Sequence, residues 1–262
     1  GVLLLGIGLL AFLAYLILDL KIDRQLAIGT PHDPEDEFRL ADLRFLVTDR
    51  SFLFITLLCV TFYSAVFPFI KYAPDLLMNE FGMDRQMAGN FSSILMFGTI
   101  ALTPLFGWIA DNKGKSATLM YLGSALLIVS HLMFALTSFT PLVPIFLLGV
   151  AFSLVPAAMW PAVTKIVGEN KIGTAYGFMF SVQNLGLWAF PMLIGWVLDR
   201  SNPGVAEAIK AGQEATYDYT NPMLMLAGLG VAGLVFAFLL KREDVKSGYG
   251  LELPNRMDAP AG

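Results

Sequence analysis

Seven stretches of the chain are almost purely apolar: 2–18, 51–70, 86–110, 117–137, 141–164, 172–198 and 221–240. Each is near or above the roughly 17–25 residues that a helix needs to cross a hydrocarbon core. Gly98, Thr103 and Pro104 interrupt the third run, and Pro156 and Pro161 the fifth. Such breakers end helices in water but are tolerated in a bilayer, where neighbouring helices satisfy the freed backbone groups. The pattern predicts seven transmembrane helices. It divides the chain into a first transmembrane helix within 1–18, a linker (19–50), a six-helix unit (51–240) and a tail (241–262).

The linker is the longest polar break. Its first half is acidic and carries two prolines. In its second half Phe38, Leu40, Leu43 and Leu46 recur at near-helical spacing among charges. That predicts a short helix, lying either on the membrane surface or in solvent.

Composition agrees with the pattern. Of 262 residues, 56% are hydrophobic and 15% charged, with a mean hydropathy of +0.66. A soluble domain carries about 25% charged residues, so this chain has too few to cover a water-facing surface. The fold class is an all-α polytopic membrane protein. The first run has no basic region before it and no small-residue cleavage site after it, so it reads as a span and not as a secretory signal. The chain opens directly on this run, which leads us to expect an upstream portion of the protein.

Charge sorts the loops. No Lys, Arg, Asp or Glu falls inside the seven runs. Alternating connections form two sets. The set 19–50, 111–116, 165–171 and 241–262 holds 13 of the 17 Lys and Arg, and the set 71–85, 138–140 and 199–220 holds four. Basic loops mark the cytoplasmic side, which places the linker and the tail there.

The chemistry of the runs excludes several functions. They hold one cysteine (Cys59), one histidine (His131) and no carboxylate. Intramembrane hydrolysis needs a nucleophile with a base, or an acid–histidine metal set, so an enzyme is not expected. His32 lies far off in the linker, and neither a metal nor a cofactor is expected. A seven-helix photoreceptor needs a Lys within a span, and none is present. A seven-helix receptor of another kind is the less favoured alternative. No nucleic-acid partner is expected. The expected partners are the bilayer and a small solute.

One turn carries a motif. "GWIADNKGKS" (107–116) ends in Gly-Lys-Ser, as a phosphate-binding loop does, but the first glycine of that motif would fall on Ile109 and would have to follow a strand. A tight turn between two membrane helices fits better. Gly107 and Ala110 are small enough for close helix approach. Asp111 can accept from the free N–H groups of a neighbouring helix start, Gly114 permits reversal of the backbone, and Lys115 stays on the basic side.

This turn resembles the G-x-x-x-D-x-x-G-[RK] signature of the major facilitator superfamily, with Asn112 and Ser116 where basic residues are usual. Those departures suit the second, weaker copy of the signature, between helices 8 and 9. The resemblance implies helix 6, the central loop and helices 7–12, with an N-terminal half as intramolecular partner. "AVFPFI" (65–70), "AMWPAV" (158–163), "GTAYGFM" (173–179) and "QNLGL" (183–187) are similar to the family of major facilitator superfamily domain-containing protein 1, lysosomal dipeptide transporters with bacterial relatives. That likeness implies transport of small solutes, dipeptides foremost, by alternating access, in a bacterial plasma membrane or a lysosomal membrane. Another small organic solute is the alternative.

Without an intramembrane charge, these helices must bind by hydrogen bonds and aromatic surface. The acid and base that a zwitterion needs are then expected upstream. Thr56, Val60, Tyr63 and Phe67 share one helical face. Gly149, Ser153, Pro156, Trp160 and Thr164 share another, read as cavity lining with Trp160 as a wall or as a helix–helix seam. Gln183 and Asn184 lie mid-span, and Asn184 aligns with Gly177, Ser181 and Trp188. Each amide either meets substrate or pins its helix to a neighbour. Tyr63, Phe67, Ser153, Trp160, Gln183 and Asn184 are the candidate pathway residues. Tyr176 is a candidate gate, and Gly173 and Gly177 a candidate packing step. Lys71 and Asp75 lie either on an exposed loop or on a helix extension at the outer mouth. His131 reads as an interfacial residue, and the last run as facing lipid throughout.

Overall fold

The computed structural model describes residues 2–26 and 40–255, and among them every regular element is helical. Residues 27–39, which include His32 and Phe38 of the linker, lie outside the described residues, as do residues 256–262, while the linker's opening residues 19–26 are helical and prolong the first run. The chain divides into two units, up to Arg39 and from Leu40 onward. The first contains α1 (Val2–Leu26), apolar around its whole circumference to Leu18.

The second unit opens with α2 (Leu40–Thr48), the short helix expected in the linker, whose Leu46 is buried in the core. Five long helices follow: α3 (Arg50–Phe81), α4 (Arg85–Lys113), α5 (Ser116–Leu136), α6 (Leu142–Val167) and α7 (Ile172–Ser201). A short α8 (Val205–Lys210) leads to α9 (Thr220–Ser247). With α1, seven helices are long and apolar enough to cross a membrane.

Local sequence sets the ends. Asp49 caps α3 by accepting from the Phe52 N–H at 2.7 Å, and Asp84 caps α4 by accepting from Met87 at 2.8 Å. Gly82 (φ +62°) closes α3 in the left-handed conformation. Pro68 and Pro74 are accommodated within α3.

Helix α3 is the hub of the unit, packing on α9, α7, α4 and α6; α5 packs on α9 and α6, and α4 on α6. Phe52, Ile55, Leu58, Phe62 and Phe69 of α3 anchor the core, with Met120 and Leu127 of α5, Met159 of α6 and Leu226 of α9. Lipid is as apolar as these side chains, so association in a bilayer depends on close fit and small residues. Three glycines provide it. A Cβ on Gly123 would lie 2.3 Å from Val155 of α6, one on Gly230 2.7 Å from Leu127 of α5, and one on Gly186 2.4 Å from the Ser64 Oγ of α3.

The packing corrects several expectations. The last run does not face lipid throughout: α9 buries Met223, Leu226, Gly230, Gly233 and Ala237. His131 is not interfacial but fully buried, its Nδ1 2.8 Å from the Leu127 carbonyl and its ring edge-on to Phe69. Gly173 and Gly177 have nothing among the described residues within 4 Å of a Cβ, and Gly186 makes the close approach instead. Gly107 likewise meets nothing, while Ala110 is buried. Of the two readings of Lys71 and Asp75, the helix extension is the one found, because α3 continues to Phe81.

The glycines give a two-sided prediction. Gly186→Leu is expected to lower stability by about 1–3 kcal/mol through overpacking against Ser64 and Val60. Gly177→Leu, with open space around it, is expected to leave the melting temperature in detergent unchanged. Equal effects would contradict the assigned seam.

Candidate functional site

The candidate site is built on three helices. The 3.6-residue repeat places Tyr63 and Phe67 one turn apart on α3, where their rings stack with centroids 5.7 Å apart. Trp160, near the end of α6, reaches across to α3. Its Nε1–H donates to the Tyr63 hydroxyl at 3.1 Å, so the buried phenol has the partner it requires. The other face of the cluster comes from α7. Phe180 stacks on Trp160 at 4.8 Å, and Tyr176 meets it edge-on at 5.5 Å. The Tyr176 hydroxyl donates to the Trp160 carbonyl at 2.9 Å, tying the first turns of α7 to α6. Phe152 closes the cluster, edge-on to Phe67 at 5.6 Å and to Tyr63 at 6.0 Å.

The cluster is open on one side. Phe67 is 40% and Phe180 47% exposed, whereas Tyr63 is buried and Trp160 half-buried. Asn184 lies one turn beyond Phe180 and is exposed. Its amide N–H₂ donates to the Phe180 carbonyl at 2.8 Å, and its oxygen holds no bond among the described residues. The arrangement offers an aromatic wall for an apolar side chain, π faces for a cation, and one free amide acceptor.

Not every candidate joins this wall. Gln183 is buried and its Oε1 accepts from the Cys59 thiol at 3.4 Å, a bond that holds α7 to α3. Ser153 is fully buried and donates to the Gly149 carbonyl at 2.7 Å. Gly149 abuts the backbone of Leu95. The polar face of α6 therefore divides, with Gly149 against α4 and Trp160 in the aromatic wall. Phe152 and Phe180 do not stand out in the sequence, because a phenylalanine is ordinary in an apolar run; for Phe180 the signal is spacing, since Tyr176, Phe180 and Asn184 recur every four residues.

The 107–116 turn differs from expectation in its partner. Asp111 lies within the last turn of α4 and accepts from the Asn255 amide at 3.0 Å. The start of α5 is served by another carboxylate: Glu252 accepts from the Thr118 N–H at 2.9 Å. Gly114 (φ +71°) and Lys115 (φ +64°) both take positive φ.

At the opposite end, the segment before α9 is fixed to the extension of α3. The Tyr217 N–H donates to Asn79 at 2.8 Å, the Tyr219 N–H to Glu80 at 2.7 Å, and the Tyr219 hydroxyl to Asp75. Burial and the Asp75 carboxylate both hold the Tyr219 phenol far above its usual range, so it remains a donor at neutral pH. Tyr219→Phe leaves Asp75 with the Asn79 amide alone. A loss of about 1–2 kcal/mol is expected, read as a lower melting temperature. An unchanged value would show that the bond adds nothing.

A unit whose described residues form six long apolar helices, with a Gly-Lys turn between two of them, defines a multi-pass membrane protein. The family model of the Major Facilitator Superfamily matches in two overlapping placements, residues 1–191 and 72–253, and the chain belongs to that superfamily. Among curated relatives, the lysosomal dipeptide transporter MFSD1 of Mus musculus is 40% identical over 147 residues, 56% of this chain and 32% of the relative. The same-named protein of Homo sapiens is 39% identical over 145 residues, 55% of this chain and 31% of the relative. Monocarboxylate transporter 12 of Xenopus laevis is 27% identical over 174 residues, 64% of this chain and 36% of the relative. The matched stretch is about a third of these relatives' own length.

Proposed function

We propose that this chain forms part of a transporter that moves a small solute, of the dipeptide class, by alternating access. The observation that carries it is the partly open wall of Tyr63, Phe67, Trp160 and Phe180 on three helices. It stands in a chain about 40% identical, over half its length, to dipeptide transporters. In this reading the wall and Asn184 line the pathway, Gln183 pins α7, and Tyr176 gates the end of α6. The exposed faces of α4 and α7 suit docking against a second helical unit of the same protein, which supplies charges for the peptide termini. The linker and the 111–116 turn face the cytoplasm.

The test is uptake of labelled dipeptides by the full-length protein in liposomes. Saturable uptake, competed by unlabelled dipeptide and not by lactate or tartrate, is the expected result. Competition by lactate or tartrate alone would favour the second reading, transport of a small organic anion. The monocarboxylate transporter and a putative tartrate transporter of Agrobacterium vitis, 23% identical, motivate that reading by matching longer stretches of the chain.

A further inference from the structure

Residues 248–255 do not trail away from α9. Gly248 (φ +73°) ends the helix, its N–H donating to the Asp244 carbonyl at 2.8 Å, and the chain then turns back across the helix ends that carry the 111–116 turn. The Leu251 N–H donates to the Asp244 carboxylate at 3.0 Å, and the Leu251 side chain is fully buried. The Lys115 and Ser116 N–H groups donate to the carbonyls of Glu252 and Leu251 at 3.1 and 2.9 Å, the pairing that holds Lys115 at its positive φ.

Side chains extend the contact to other helices. Glu252 caps α5, accepting from the Thr118 N–H at 2.9 Å and from its hydroxyl at 2.8 Å, with Lys241 donating to the same hydroxyl at 2.6 Å. Lys165 of α6 spreads its ammonium over the carbonyls of Gly250, Leu253 and Pro254, at 3.1, 2.7 and 3.4 Å. Tyr249 donates to Asp49, the cap of α3, at 2.9 Å, and Asn255 to Asp111 of α4 at 3.0 Å. One short segment thus joins the same-side ends of α3, α4, α5, α6 and α9.

We propose that residues 248–255 are a releasable clamp that holds these helix ends together and must let go for the protein to open on that side. Its chemistry suits release. Apart from the packing of Leu251 and Tyr249 on the core, it is seated by hydrogen bonds and the Lys241–Glu252 ion pair at 3.9 Å, which water can replace. The Ser116 hydroxyl and the Asn255 amide oxygen, both buried, lack partners among the described residues. Gly114 fits it closely: a Cβ there would stand 2.4 Å from the Leu253 carbonyl carbon. The release step rests on the alternating-access reading above. The clamp itself does not.

Two measurements on the full-length protein separate them. Lys165→Met removes the charge over the three carbonyls and keeps the stem. Amide exchange is expected to rise about tenfold over 111–118 and 248–253, as for a local opening, and to stay unchanged over 72–84 at the opposite end. A rise along the whole chain, or no rise, overturns the clamp. Asp111→Cys with Asn255→Cys allows an oxidant to fix the segment in place; the native Cys59 is buried. Oxidation is expected to stop uptake and reduction to restore it. Uptake by the oxidised pair at the reduced rate overturns the release step. Failure of the unmodified protein to transport any dipeptide counts against the transport reading, and the exchange result still decides the clamp.

Discussion

Trp160→Ala in the full-length protein is expected to cut dipeptide uptake at least about tenfold, a loss equal to about 1.4 kcal/mol, while the protein still folds. The indole on α6 joins three helices: it stacks on Phe180 and meets Tyr176 edge-on, both of α7, and donates to Tyr63 of α3, while the Tyr176 bond to the Trp160 backbone carbonyl survives truncation. Truncation leaves the buried Tyr63 hydroxyl without its donor and the Phe180 face without its stack, a contact worth about 0.5–1.5 kcal/mol beyond burial. Because Trp160 is only half-buried, the stability cost is expected below the roughly 3–5 kcal/mol of a fully buried aromatic. Trp160→Phe separates the two contributions. It keeps a smaller aromatic face for Phe180 and loses the N–H with the second ring, so its uptake is expected between the two extremes. Uptake kinetics, with melting temperature as the control for folding, checks the series. Wild-type uptake by Trp160→Ala would remove the wall from the pathway.

The second large effect is on stability. Gly114→Ala is expected to lower it by about 2–4 kcal/mol, from two sources. Its backbone, at φ +71° and ψ −136°, lies where side chains are strained by about 1–3 kcal/mol. Its new Cβ would also meet backbone, 2.4 Å from the Leu253 carbonyl carbon and 2.6 Å from the Pro254 nitrogen, which no rotamer change can relieve. Gly82→Ala is the control. That residue has φ +62° but nothing within 4 Å, so only the backbone cost of about 1 kcal/mol is expected. Thermal unfolding in detergent compares the two. Equal losses would mean that the packed segment places no steric demand on Gly114.

The helices were legible because a bilayer leaves the sequence little freedom: every spanning backbone must be helical, and every spanning side chain must tolerate hydrocarbon. Their ends were less so. Lys71, Asp75 and Glu80 end the apolar run, but charges near a helix end do not stop the backbone, and α3 continues to Phe81. Packing partners were not legible. Gly173 and Gly177 have the textual form of a close-packing step, yet on α7 it is Gly186 and Gly195 that meet α3, because which face turns inward is set by the neighbours and not by the helix alone.

The aromatic wall was half visible. Helical spacing singled out Tyr63, Phe67 and Trp160, but a bond between residues 97 positions apart is a tertiary fact. The packed segment after α9 had a signal that hydropathy alone passes over. In "SGYGLELPN" two glycines and a proline describe a turn-bounded piece, although of its two leucines only Leu251 is buried and Leu253 is exposed. Its partners, Asp49, Thr118 and Lys165, are scattered through the chain and look like ordinary loop polarity until the fold gathers them.

The central claim is that solute passes against the wall of Tyr63, Trp160 and Phe180. The most direct measurement is the rate at which a maleimide labels Asn184→Cys, one turn beyond Phe180, in the full-length protein in liposomes. The account predicts that a transported dipeptide slows this labelling in proportion to its occupancy, and that lactate and tartrate do not. Labelling that runs at the same rate with and without saturating dipeptide, in protein that still takes the dipeptide up, would contradict it.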